Sequence, residues 1–142
     1  MFSAVARVRV VETPTASRLI PDEDSICLLD DRSGILFGGG TINTGPIYAQ
    51  FHDSDVETFA KSAARLAGLK DEVSMVAVNH FGRTTAAPYL LQEISDGFDR
   101  LLAGGAAVRA ARDCIGETVT EALFDRFSIL VAPATAERLH RR

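Results

Sequence analysis

Apolar and polar positions change period several times along the chain, and the changes mark its elements. Residues 4 to 12, AVARVRVVE, alternate with period two, which predicts a strand with one apolar face buried and its arginines outward. Residues 13 to 24, TPTASRLIPDED, hold two prolines and a run of acids and read as a loop. Strand-like SICLLD (25–30) and ILFG (35–38) flank Asp30-Asp31-Arg32-Ser33-Gly34, which supplies turn-forming side chains and a glycine, so a hairpin is predicted. Residues 38 to 50 carry Gly38, Gly39, Gly40, Gly45 and Pro46 and read as a loop that lets backbone approach a ligand or another chain.

The period then lengthens to that of a helix. Val56, Phe59, Ala60, Ala63, Leu66 and Ala67 form one apolar stripe, with Ser54 as the expected N-cap, Glu57 completing a capping box, and Gly68 as the stop. VSMVAV (73–78) is almost continuously apolar and reads as a strand covered on both faces. A second helix is expected from about Ala86 to Ala103, with its stripe at Ala87, Leu91, Ile94, Phe98, Leu101 and Leu102 and a stop at Gly104-Gly105. Residues 106 to 112 fit strand and helix equally. ETVTEAL (117–123) and FSILVA (127–132) read as strands, the latter buried. The tail, with Arg138, His140, Arg141 and Arg142, reads as a frayed, solvated terminus. Helices with one apolar face alternating with strands predict an α/β (α+β) chain in which helices layer on a mixed sheet.

Bulk composition narrows the function classes without choosing one. A length of 142 residues fits one domain, residues 1–142, with 46% hydrophobic and 24% charged residues as in an ordinary globular protein. A net charge of −4 argues against sequence-independent nucleic-acid binding, which needs a concentrated basic face. No apolar stretch reaches the ~20 residues of a membrane span, and the N-terminus lacks the pattern of a secretory signal. The expectation is a cytoplasmic protein with neither nucleic-acid nor membrane partners. Cys27 sits in an apolar run and reads as a small buried hydrophobe. Cys114, beside Asp113, lacks the surroundings of an activated thiol. FGGGT has neither the lysine nor the spacing of a phosphate loop, and no G-x-S-x-G element is present.

The order of elements and several short words of sequence resemble the C-terminal half of the metallo-β-lactamase fold. The words are ETPTASRLIPDEDSICLLDD, ILFGGGTINTGPIYAQF, VETFAKSAARLAGL, VSMVAVNHFG and PYLLQEISDGFDRLLAGG, covering about residues 4 to 105. The hairpin and glycine loop of residues 25 to 50 are the specific part. That family is a four-layer αββα sandwich of two similar halves, usually a metal-dependent hydrolase. The resemblance places three second-half metal-ligand positions at Ala16, Gly40 and His80, where TPTAS replaces TPGHT and a glycine replaces the bridging aspartate. The H-x-H-x-D-H motif of the first half is absent.

Only His80 of the three could bind metal. Zinc takes three or four N, O or S ligands, so one imidazole makes no site. The resemblance therefore implies a vestigial centre with no catalytic residue assigned and no cofactor. Thr41, Asn43 and Tyr48 are expected to line whatever pocket survives. His52 reads as solvated.

Half a sandwich also leaves one sheet face bare, which implies either a homodimer that rebuilds the four layers or a separately encoded N-terminal half. The leading expectation is a non-catalytic, homodimeric pseudoenzyme with a binding or structural role. Its alternatives are a zinc- or iron-dependent hydrolase completed by a partner chain, and a truncated gene product without selected function.

Overall fold

The computed structural model describes residues 7–13, 25–80 and 83–141. Its strands and helices run β1 (Val8–Thr13), β2 (Ser25–Asp30), β3 (Ile35–Phe37), β4 (Pro46–Ala49), α1 (Val56–Ala67), β5 (Met75–Ala77), β6 (Thr85–Ala86), α2 (Tyr89–Leu102), β7 (Ala107–Arg112), β8 (Thr118–Leu123), β9 (Ser128–Val131) and α3 (Pro133–His140). The α/β class expected from the sequence holds. The strands divide between two mixed sheets instead of forming one: a five-stranded sheet in the order β1-β2-β3-β5-β6 and a four-stranded sheet in the order β4-β9-β8-β7. One core joins them. It takes Val11, Cys27, Leu29, Leu36 and Val76 from the first sheet, Ile47, Ala122, Ile129 and Val131 from the second, and the apolar stripes of α1 and α2. No described helix is long and apolar enough to cross a membrane.

The predicted hairpin forms as β2 and β3. Asp30 accepts from the Arg32 N–H and the Ser33 hydroxyl, and Gly34 turns the chain at φ +71°. β1 adds antiparallel to β2, with Val11 opposite Cys27 and Arg9 opposite Leu29. This register inverts the facing expected of β1. Val11 and Thr13 are buried, whereas Val8 and Val10 point out of the core. Period two fixes alternation but not which set turns inward. Pairing with the buried Cys27 and Leu29 decides it. Arg9 shares the inner set but lies toward the sheet's end, where its guanidinium reaches Asp31 Oδ1 at 2.6 Å and also Glu72.

Other expectations are corrected by non-local pairing. β4 lies inside the stretch read as loop and runs parallel to β9, Ile47 opposite Ile129. β5 is shorter than residues 73 to 78, and only Val76 is fully buried in it. Met75 and Ala77 are half-buried on the outer face, so the strand is not covered on both sides. β6 occupies Thr85–Ala86, and α2 starts at Tyr89, three residues later than expected, because Pro88 suits a helix start and not its interior. Leu90 joins the buried stripe of α2, Leu102 is partly buried against the core at its end, and Ala87 leaves it. Residues 107–112 resolve as an edge strand, and β9 is buried throughout, as expected. Residues 133–140 form α3 where a frayed end was expected, with Pro133 in the first turn and Ala136 and Leu139 buried, while Arg138, His140 and Arg141 are solvated as expected and Arg142 lies outside the described residues.

The cap of α1 also differs from expectation. Asp55, not Ser54, is the N-cap, accepting at Oδ1 from the N–H groups of Glu57 (3.0 Å) and Thr58 (3.3 Å). Asp55→Ala is expected to cost about 1 kcal/mol by chemical denaturation, and Ser54→Ala less than half of that. Equal losses would assign the cap wrongly. Gly68 closes the helix in the ordinary right-handed region, φ −63°.

Candidate functional site

The parallel pairing of β3 with β5 sets Phe37 beside Ala77, so the loops leaving both strands emerge side by side. The first loop is the glycine triplet, tied to β5 by the Gly38 N–H donating to the Ala77 carbonyl at 3.0 Å. The second carries His80 and is closed by the Val78 N–H donating to the Thr84 carbonyl at 2.8 Å. Crevices beyond the carboxyl ends of parallel strands are common ligand positions. Here Gly40 and His80 share a cleft of about 610 Å³ with Ser25, Asn43, Tyr48, Phe51, His52, Asp53, Ser54 and Phe59.

The three glycines of the triplet are not equivalent. A Cβ on Gly38 would stand 2.8 Å from Ile42 Cβ, and Gly39 adopts φ +54° with the Ile26 carbonyl oxygen 2.8 Å from its would-be Cβ. Both are required by the turn. Gly40 is exposed, lies outside the left-handed region, and a Cβ there would meet none of the described residues within 4 Å. Packing against the described residues therefore gives no reason for glycine at this position. Gly40→Asp is expected to shift the melting temperature by less than about 3 °C. A large drop in a thermal melt would show a constraint that the backbone does not reveal.

Of the residues expected to line a pocket, Asn43 and Tyr48 do so and Thr41 does not. Thr41 is buried beneath the loop, its hydroxyl 3.0 Å from that of Thr13, which in turn donates to the Ser25 carbonyl. Cys27 completes this buried polar knot, donating to the Gly38 carbonyl at 3.4 Å. Burial pushes its thiol pKa up, in keeping with the inert role expected. Asn43 borders the cleft but is engaged by its own loop: Nδ2 donates to the Pro46 carbonyl and Oδ1 accepts from the Gly45 N–H. Tyr48, half-buried on β4, is held neutral. Burial first, then a hydrogen bond with Cys114, pushes its phenol up to about 12. His80 is exposed at the rim. Ala16 lies outside the described residues.

His52 is exposed, as expected, and the sequence did not mark its neighbours Phe51 and Asp53 as lining residues. Phe51, His52 and Asp53 follow β4 on one short bend, His52 Nδ1 standing 2.7 Å from Asp53 Oδ1. The Phe51 ring meets Tyr48 edge to face, 6.1 Å between centroids and 63° between planes. The spacing Tyr48-x-x-Phe51 beside a glycine loop was the available signal. Phe59 reaches the cleft from α1 and stacks on Phe98 of α2 at 4.7 Å.

The donor set does not fit the metal that the resemblance implies. Gly40 has no ligating atom, and among the described residues no three His, Cys, Asp or Glu side chains converge as a metal-binding group. Among the described residues lining the cleft there is also no lysine or arginine. Compared with known proteins, the chain matches no family model and no curated protein. What the fold and site define is a mixed α/β chain with a rim of imidazoles, a carboxylate and an aromatic corner around a glycine turn.

Proposed function

We propose that this chain is a non-catalytic, homodimeric protein of metallo-β-lactamase-like design that pairs through its five-stranded sheet and keeps the Gly40 cleft for binding. The observation that carries the reading is the outer face of that sheet. Val8, Val10, Ile26 and Phe37 are 50%, 61%, 46% and 47% exposed. They are contiguous by register: Val10 stands opposite Leu28, Leu28 opposite Phe37, and Phe37 opposite Ala77. Half-buried Leu28, Ile35, Met75 and Ala77 join them in one apolar patch, and contiguous exposed apolar surface of several hundred Å² marks an interaction site. A twofold pairing of the same face on itself covers both copies at once and needs no second kind of chain.

Gly40 supports the non-catalytic half of the reading, because the described residues leave room for a side chain there and none is present. The alternative, a hydrolase completed by a partner chain, has in its favour that His80 shares the cleft. It would need every other ligand from outside. Light scattering on the eluted protein at micromolar concentration is expected to give twice the 15.3 kDa of one chain. A clean monomer overturns the pairing, and stoichiometric zinc or iron in the purified protein overturns the non-catalytic assignment.

A further inference from the structure

The geometry points to the Gly40 cleft as a receptor for a small organic cation, an alkylated ammonium group. Tyr48 and Phe51 meet at 63°, so their rings form two walls of a corner, and Phe51 is 52% exposed with no packing role that explains it. Aromatic faces attract ammonium groups through the ring quadrupole, and paired walls raise that attraction where water is partly excluded. Asp53 brings a carboxylate to the same cleft, with one oxygen on His52 and a second oxygen besides. Among the described residues lining the cleft none is a lysine or arginine, and the chain's net charge of −4 favours a positive ligand. The hydroxyls of Ser25 and Ser54 at the border suit a short polar arm on the ligand.

The inference rests on the binding role proposed for this cleft and is independent of the pairing of two copies. Its test is a titration of the ¹⁵N-labelled full chain with choline, with the uncharged isostere 3,3-dimethylbutan-1-ol, and with benzoate. Choline is expected to shift the Gly40, Asn43, Phe51 and His80 amide resonances to saturation and to bind at least about 10-fold more tightly than the alcohol. Phe51→Ala and Asp53→Asn, both at the surface, should each weaken choline by about 3- to 10-fold while leaving the remaining spectrum in place. Equal binding of choline and its isostere, unchanged affinity in both variants, or preference for benzoate overturns the cation assignment and leaves a binding cleft of another class. Silence from all three probes overturns both the assignment and the binding role.

Discussion

Phe98→Ala is expected to remove about 3–5 kcal/mol of stability, the usual cost of emptying a fully buried phenylalanine site. Phe98 is inaccessible to solvent and stacks on Phe59 with 21° between the ring planes. The pair lies in the contact between α1 and α2, and neither helix has another aromatic residue in its buried stripe. Leu91 and Ile94 precede it on the same face and Leu101 follows, so collapse into the space is limited by side chains already packed. For a chain of this length total stability is on the order of 5–15 kcal/mol, so the substitution takes a fifth or more of it and lowers the melting temperature by roughly 10–15 °C. Urea unfolding at fixed protein concentration is the measurement, since association adds to apparent stability. A loss below about 1 kcal/mol would mean that the helices do not meet through this pair. Because Phe59 also borders the cleft, the same variant should loosen the binding site, and the two effects travel together.

What was legible in the sequence follows the range of the interactions involved. The β2–β3 hairpin was readable because its turn is closed by its own residues, Asp30, Ser33 and Gly34. Both long helices were readable because the 3.6-residue stripe is a local signal. β4 was not, since four residues between Gly45 and Gln50 carry little pattern, and their strand character comes from pairing with β9 some eighty residues later. α3 was hidden by its small apolar face, and its burial depends on the end of α2, where the Leu139 carbonyl lies 3.2 Å from the would-be Cβ of Gly104. Gly97 shows the same dependence inside α2. Local propensity disfavours it, yet a Cβ there would press within 2.7 Å of the Phe127 ring.

The site divided along the same line. The resemblance carried by short words of sequence put Gly40 and His80 together as an expectation, and both line one cleft. Thr41 looked equally suitable, but a one-residue step in a tight turn sends its side chain into the core instead. Phe51 and Asp53 lie on a bend whose direction is set only once β4 is placed in the second sheet, and no local pattern announces that.

The bare sheet face leads to the second large effect. Val10→Glu together with Phe37→Glu is expected to convert the proposed pair to monomers, raising the dissociation constant by at least about 100-fold. Val10 and Phe37 flank Leu28 on adjoining strands, so the two charges would occupy the middle of the apolar patch. In a single chain both positions already face water, and exchanges at such exposed sites usually change stability by no more than about 0.5 kcal/mol. In a pair they become buried carboxylates without partners, at a cost of several kcal/mol. Twofold symmetry doubles the effect, because each substituted side chain meets like charges from the other copy. Sedimentation velocity reads the mass and circular dichroism the fold. A folded monomer supports pairing through this face. An unchanged dimer moves the interface elsewhere, and an unfolded variant at low concentration means that the face is part of the chain's own core. Phe51→Ala, made in the cleft, should leave the mass at that of the pair, since the cleft opens at the ends of β3 and β5 and not on the sheet's outer face.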